Sequence, residues 1–322
     1  MPFHAFTVQP YLFERLPLIT ACLEGFQDAT QARQASITTE LGEHADAVIA
    51  AHLGDLLFDD MGLDSAHPHE NHQNGSQRKD PAGGSADRDP LHDYALKKMV
   101  KGGRQWLLDN LCQRRIAGKT PATIMSRFVA AGLNDIATIT EPDFRMKVLK
   151  MEQWSARWTT TSMRMFQAAA FPRLPFYDTR LIDFFCTVPT SYVRGRQMQV
   201  DYLKRYAPDL ARITWQVYDT NLYRYRQFNT LQLPKRVVKK AWRMVVHRPV
   251  IERNWEVQFL NESGRRGLQH WLLRPGLRLH DFAAPRAIED LLTAFYAAPF
   301  AEKRGYTISM LLSFSAWLEQ YG

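Results

Sequence analysis

The residues best suited to chemistry gather at two points. One is Gly54-Asp55, which follows the apolar run Ala47-Val48-Ile49-Ala50-Ala51 and His52-Leu53. An apolar run stopped by Gly-Asp reads as a buried strand opening into a loop, where polar groups reach solvent at a sheet edge. A carboxylate at that point can cap the next turn. The second is Arg173-Leu174-Pro175-Phe176-Tyr177-Asp178, with an arginine and an aspartate at a proline-bounded corner. Leu174, Phe176, Leu181 and Phe184 leave little room for water there. The pair is therefore expected to be buried and to lock helices together, with direct substrate contact as the alternative. His67, His69 and His72 could recruit a metal, but no rigid neighbours fix their geometry. Cys22, Cys112 and Cys186 are far apart and odd in number. They fit reduced thiols in a cytoplasmic protein, not a zinc or disulfide framework.

Three parts must position these residues. Residues 1–63 carry short β-like and amphipathic runs and read as a partial α/β layer. Residues 64–93 offer almost nothing apolar and read as a flexible linker or insertion. Residues 94–322 are predominantly helical. A helix is predicted to start at Pro121, with proline in its first turn. A long helical stretch is predicted over 143–170, where Met146, Leu149, Met151, Trp154 and Trp158 are core candidates. Further helices are predicted over 179–186, 198–206, 234–246, 286–296 and 307–320.

Charge is concentrated in one place. The 322 residues carry 41 Lys and Arg against 33 Asp and Glu, a net +8. Between Arg224 and Arg253 there are nine cations and one acid, Glu252, so this segment alone accounts for the excess. Tyr225, Phe228 and Trp242 are interleaved with those cations. The segment reads either as a solvated helix face or as a contact for nucleic acid or an anionic membrane surface. No run approaches the ~18 apolar residues of a spanning helix. Met1-Pro2-Phe3-His4 shows no basic stretch followed by an apolar core, so no export signal is expected.

The two motifs, taken in this order, resemble the synthetase domain of the asparagine synthetase family. That family has a strand ending in G-x-G-x-D-E-L-F-G-G, then an R-x-P-F-L-D segment with L-V-D-F and a trailing proline. Here the counterparts are Gly54-Asp55-Leu56-Leu57-Phe58, Arg173 to Asp178, Leu181-Ile182-Asp183-Phe184 and Pro189. Tyr202 to Ala211 looks like the helix that follows. The resemblance implies an adenine-nucleotide α-hydrolase-like (PP-loop) α/β fold, present as a remnant, followed by a mainly α-helical domain. It implies ATP and Mg2+ as cofactors and an ATP-dependent, amide-forming ligase that makes an acyl-adenylate from a carboxylate such as aspartate. On this reading Gly54 and Asp55 touch the nucleotide and Asp55 is a metal ligand. His52 stands where the family has Glu or Tyr beside the nucleotide, and Lys204 is the nearest candidate for its phosphate-contacting lysine.

The sequence also departs from the family. It has no S-G-G-x-D-S loop; Gly62-Leu63-Asp64-Ser65 imitates its end but follows the Gly-Asp motif. The glutamine-hydrolysing domain has no counterpart. Leu56 replaces the acid after Asp55, Asp59-Asp60 replaces the paired glycines, and Phe171 sits where a glutamate often precedes R-x-P-F. Two alternatives therefore stand beside the ligase. One is an inactive or split-subunit member that needs a separately encoded chain carrying the nucleotide loop. The other is a basic helical protein that binds nucleic acid or an anionic surface.

Overall fold

The computed structural model describes residues 5, 6, 8, 10–63, 89, 91–99, 104–111, 120–216, 218–226, 238, 242, 254–298 and 304–322. The apolar run after Asp46 forms a three-residue strand, β1 (Ala47–Ile49). It pairs in parallel with β2 (Phe171–Arg173), in the register Ala47↔Phe171, Val48↔Pro172, Ile49↔Arg173. Phe171 N–H donates to the Asp46 carbonyl at 2.8 Å, and Ala50 N–H to the Arg173 carbonyl at 3.0 Å. Phe171 and Arg173 thus face β1. Pro172 turns its missing donor toward the opposite edge, where proline is tolerated.

The expectation of a buried strand is corrected. Parallel sheets are normally covered on both faces, yet Ile49 is 78% exposed and Phe171 59% exposed. Among the described residues this pair is the only sheet. Most of the rest is helical, and two helices that pack under the site start at capped, proline-led turns. Thr120 accepts from Thr123 N–H at 3.1 Å and Pro121 occupies the first turn of the helix Pro121–Asp135. Glu141 caps α-helix Pro142–Lys150 by accepting from Phe144 N–H at 2.5 Å. That helix runs on as a π-helical stretch, Met151–Thr159, then a 3-10 turn and the short helix Met163–Gln167. The predicted stretch from 143 is therefore one helical path with a change of winding. Met146 and Leu149 are fully buried. Trp154 and Trp158 are half-buried, with ring centroids 4.7 Å apart.

Three apolar clusters hold the chain together. The first joins Tyr11, Leu12, Leu16, Ile19 and Leu23 to Phe259, Leu268, Leu272, Phe295 and Leu312. The first part of the chain thus packs with the last three helices, Glu262–Leu273, Pro285–Ala297 and Arg304–Tyr321. A division at 63 does not describe this packing, because contacts between residues so far apart leave no trace in local periodicity. The second cluster, around Leu53, Leu56, Met61, Val129, Met146, Leu149 and Phe185, lies under the Gly54 turn. A smaller third one gathers Val200, Ala211, Leu222 and Tyr225.

Most of the proposed linker, including its three histidines, lies outside the described residues, as does nearly all of the basic segment 224–253 with its predicted helix 234–246. The end of the linker is described, and it is structured. Leu91 and His92 are buried, and His92 opens the helix His92–Met99. The boundary at 93 is thus late by a few residues. No helix among the described residues is long and apolar enough to cross a membrane.

Candidate site at the end of the first strand

The chain leaves β1 through Ala50, Ala51 and His52, then bends at Leu53. Leu53 has φ of 74°, a left-handed conformation that is uncommon for a branched side chain and tends to occur at functional turns. The short helix Gly54–Leu57 follows. Gly54 sits at a close approach. A Cβ on it would lie 3.0 Å from Cε2 of Phe176. Phe176 meets Phe58 edge-on at 5.5 Å between centroids. The two motifs, over a hundred residues apart in sequence, therefore touch directly as well as sharing a sheet.

Asp55 projects from the turn with its side chain 87% exposed. One of its oxygens, Oδ1, accepts from Arg196 Nη2 at 3.1 Å, and Arg196 Nε donates to Asp59 Oδ2 at 3.1 Å. Arg194 Nε lies 3.4 Å from Asp60 Oδ2. Gly195 and Arg196 both have left-handed backbones, φ 59° and 61°. Arg196 is thus held in a costly conformation in which it bridges two carboxylates. Beneath it, burial pushes the Lys150 ammonium below its ordinary value, and Asp55 and Asp59 oppose that shift. Burial lowers Lys98 as well, and the Lys150 charge adds to the effect. The turn therefore overlies a set of cations that are partly stripped of water.

The expected partnership of Arg173 with Asp178 is not formed. Arg173 is exposed, with its guanidinium 4.5 Å above the Phe171 ring. Asp178 instead caps the helix Thr179–Thr187, accepting from Arg180 N–H at 2.9 Å. It also pairs with the Arg180 side chain at 2.7 Å, and these hydrogen bonds draw its carboxyl down to about 2. The corner is held by Phe176 and by Pro175, which opens a 3-10 turn. The ion pair here is the local one between Asp178 and Arg180, and Arg173 takes no part in it. His52 is placed near the turn but engaged elsewhere. Its Nε2 is 3.1 Å from Ser162 Oγ, which itself donates to the Thr159 carbonyl at 2.7 Å. Lys204 is not brought to the turn; its ammonium sits over the rings of Tyr223 and Tyr225, at 5.5 and 5.8 Å.

Burial holds His52 below its ordinary value of 6.5. The unfolded chain therefore binds this proton first as pH falls. Stability is full above the ordinary value and declines until the folded-state value is passed. The expected result is a smaller loss of unfolding free energy between pH 7.5 and 5.5 in His52→Gln than in the parent. Equal losses in both would contradict it.

Asp55 is the residue that could offer a carboxylate to a magnesium ion at this turn. Mg2+ is usually held by one or two carboxylates plus substrate phosphates and water, and Asp55 has an exposed oxygen beyond its Arg196 contact. No group of three His, Cys, Asp or Glu able to hold a metal occurs among the described residues. Sequence reasoning missed Arg194, Arg196 and Lys150. The glycine between two arginines was the available signal for the first two. Comparison with family models, with curated proteins and with solved structures finds no match.

Proposed function

We propose that the chain is the C-terminal part of an asparagine synthetase-type, ATP-dependent, amide-forming ligase, and that it works with a nucleotide loop supplied from outside these residues. The split-subunit form, with the loop on a separately encoded chain, is the alternative. The observation that carries this reading is the parallel pairing of Ala47–Ile49 with Phe171–Arg173, locked by the Gly54–Phe176 contact. It sets the Asp55 turn at the carboxyl end of a parallel strand, where open α/β sheets bind nucleotides. In this reading Gly54 and Asp55 face the nucleotide, and Mg2+ held at Asp55 would neutralise charge developing on its phosphates. Lys150, whose charged form Asp55 and Asp59 favour, takes the phosphate-facing role in place of Lys204. His52 stays neutral at physiological pH and positions the loop through Ser162. The substrate is a small carboxylate, activated as an acyl-adenylate before an amine attacks it. Unbridged Cys22 and Cys186 support a cytoplasmic setting. The third alternative, nucleic-acid or membrane binding, rests on the segment 224–253, which lies almost wholly outside the described residues.

A loop-bearing layer outside these residues is favoured by the exposed β1–β2 pair, whose Ile49 and Phe171 faces it would cover. The test is ATP–pyrophosphate exchange in the presence of aspartate. The expected outcome is no exchange by the purified chain and exchange after co-production with a polypeptide bearing the S-G-G-x-D-S loop. Exchange by the chain alone, abolished in Asp55→Ala, would overturn the need for a second chain. No exchange in either form would overturn the aspartate-activating ligase.

A further inference from the structure

Behind the Asp55 turn lies a cavity of about 250 Å³, walled by Leu57, Phe144, Val148, Ile182 and Phe185. A dry apolar cavity of about 150 Å³ accepts benzene, so this one has room for two fused rings. Its rim decides what else the ligand carries. Lys147 lines the rim, but its Nζ is 3.3 Å from Asp143 Oδ2, and those side chains are only 12% and 7% exposed. Its charge is answered inside the protein. Thr187 Oγ1 donates to the Phe184 carbonyl at 2.7 Å, which leaves the hydroxyl free only to accept. Glu141, also in the lining, uses Oε2 on the Phe144 N–H, and a carboxylate has a second oxygen that can accept. The polar lining also includes the Cys186 thiol and the Thr190 hydroxyl, which can donate, but with Lys147 neutralised its one unanswered charge is the Glu141 carboxylate, which favours an uncharged donor over a second carboxylate.

We propose that this cavity binds an uncharged bicyclic aromatic group bearing one hydrogen-bond donor, of the indole type, with its rings against Val148 and Phe185 and its donor toward Glu141. This site is separate from the nucleotide reading and does not depend on it. Since Leu56 and Leu57 also line the cavity, an occupant would brace the turn that carries Asp55.

The experiment titrates the full chain with indole and with 2-naphthoate, followed by ligand-observed NMR and calorimetry. Saturable one-to-one binding of indole, at least tenfold tighter than 2-naphthoate, is expected. Val148→Phe, which fills the cavity, should weaken indole at least tenfold while the circular dichroism spectrum stays that of the parent. If that variant fails to fold, Glu141→Gln decides, since it should cut the preference for indole over 2-naphthoate to less than threefold. The proposal is overturned by indole that does not saturate, by equal or tighter binding of 2-naphthoate, by a folded Val148→Phe with parent affinity, or by Glu141→Gln with unchanged selectivity.

Discussion

Phe176→Ala should remove about 3 kcal/mol of unfolding free energy, the lower end for deleting a large aromatic from a packed site, because the ring is half-buried. The ring fills the space that Gly54 leaves open and meets Phe58 edge-on. Truncation removes both contacts, so the Asp55 turn should loosen in the same step. Arg173→Ala is the comparison. Its side chain lies outside on the Phe171 ring, so the change should stay within about 0.5 kcal/mol of the parent. Urea unfolding of both variants separates the two ideas of this corner. A parent-like Phe176→Ala, or an Arg173→Ala as damaged as Phe176→Ala, would mean that the corner is held by something other than the aromatic contact.

An effect at least as large is expected far from the site, at Gly264. A Cβ there would stand 2.0 Å from the carbonyl oxygen of Gln258 and 2.9 Å from backbone atoms of Phe259. Backbone cannot yield by changing rotamer, so Gly264→Ala must displace the segment before the helix Glu262–Leu273. That segment ties the two ends of the chain together. Gln258 Oε1 accepts from the backbone N–H groups of Tyr11 and Leu12 at 3.3 and 3.1 Å, and Phe259 is fully buried. Overpacking usually costs 1–3 kcal/mol, and a clash with main chain belongs at or above the top of that range, about 3 kcal/mol. Thermal unfolding together with limited proteolysis checks this. The variant should melt earlier and be cut sooner within residues 10–35. Parent-like behaviour in both would show that the first cluster is not closed by Gln258 and Phe259.

Much of the helical layout was legible because proline and capping residues mark helix starts locally. Pro121 and the apolar spacing of Met146 and Leu149 are examples. The strand at Ala47 was legible too, but its burial was not, because an apolar run reads alike whether or not a partner layer covers it. Asp178 was misassigned although a local signal existed. An aspartate just before an apolar-periodic helix is an N-cap, and Arg180 two residues on completes that arrangement without Arg173. The Arg196 bridge had no such signal. It spans 141 residues to Asp55 and depends on two left-handed residues in a row, which sequence periodicity does not encode. Lys150 was hidden for a similar reason. Its neighbours Asp55 and Asp59 come from the other motif, so its role emerges only once the segments are folded together.

The central claim is that the Asp55 turn is one half of a metal–nucleotide site. Titrating the purified chain with Mn2+–ATP, followed by electron paramagnetic resonance, tests it most directly. With the phosphate loop supplied by no other chain, the account predicts weak binding, near 1 mM or about −4 kcal/mol. It also predicts at least a tenfold loss in Asp55→Asn, with the fold retained. No binding up to tenfold above that concentration, or equal binding by parent and Asp55→Asn, would contradict it.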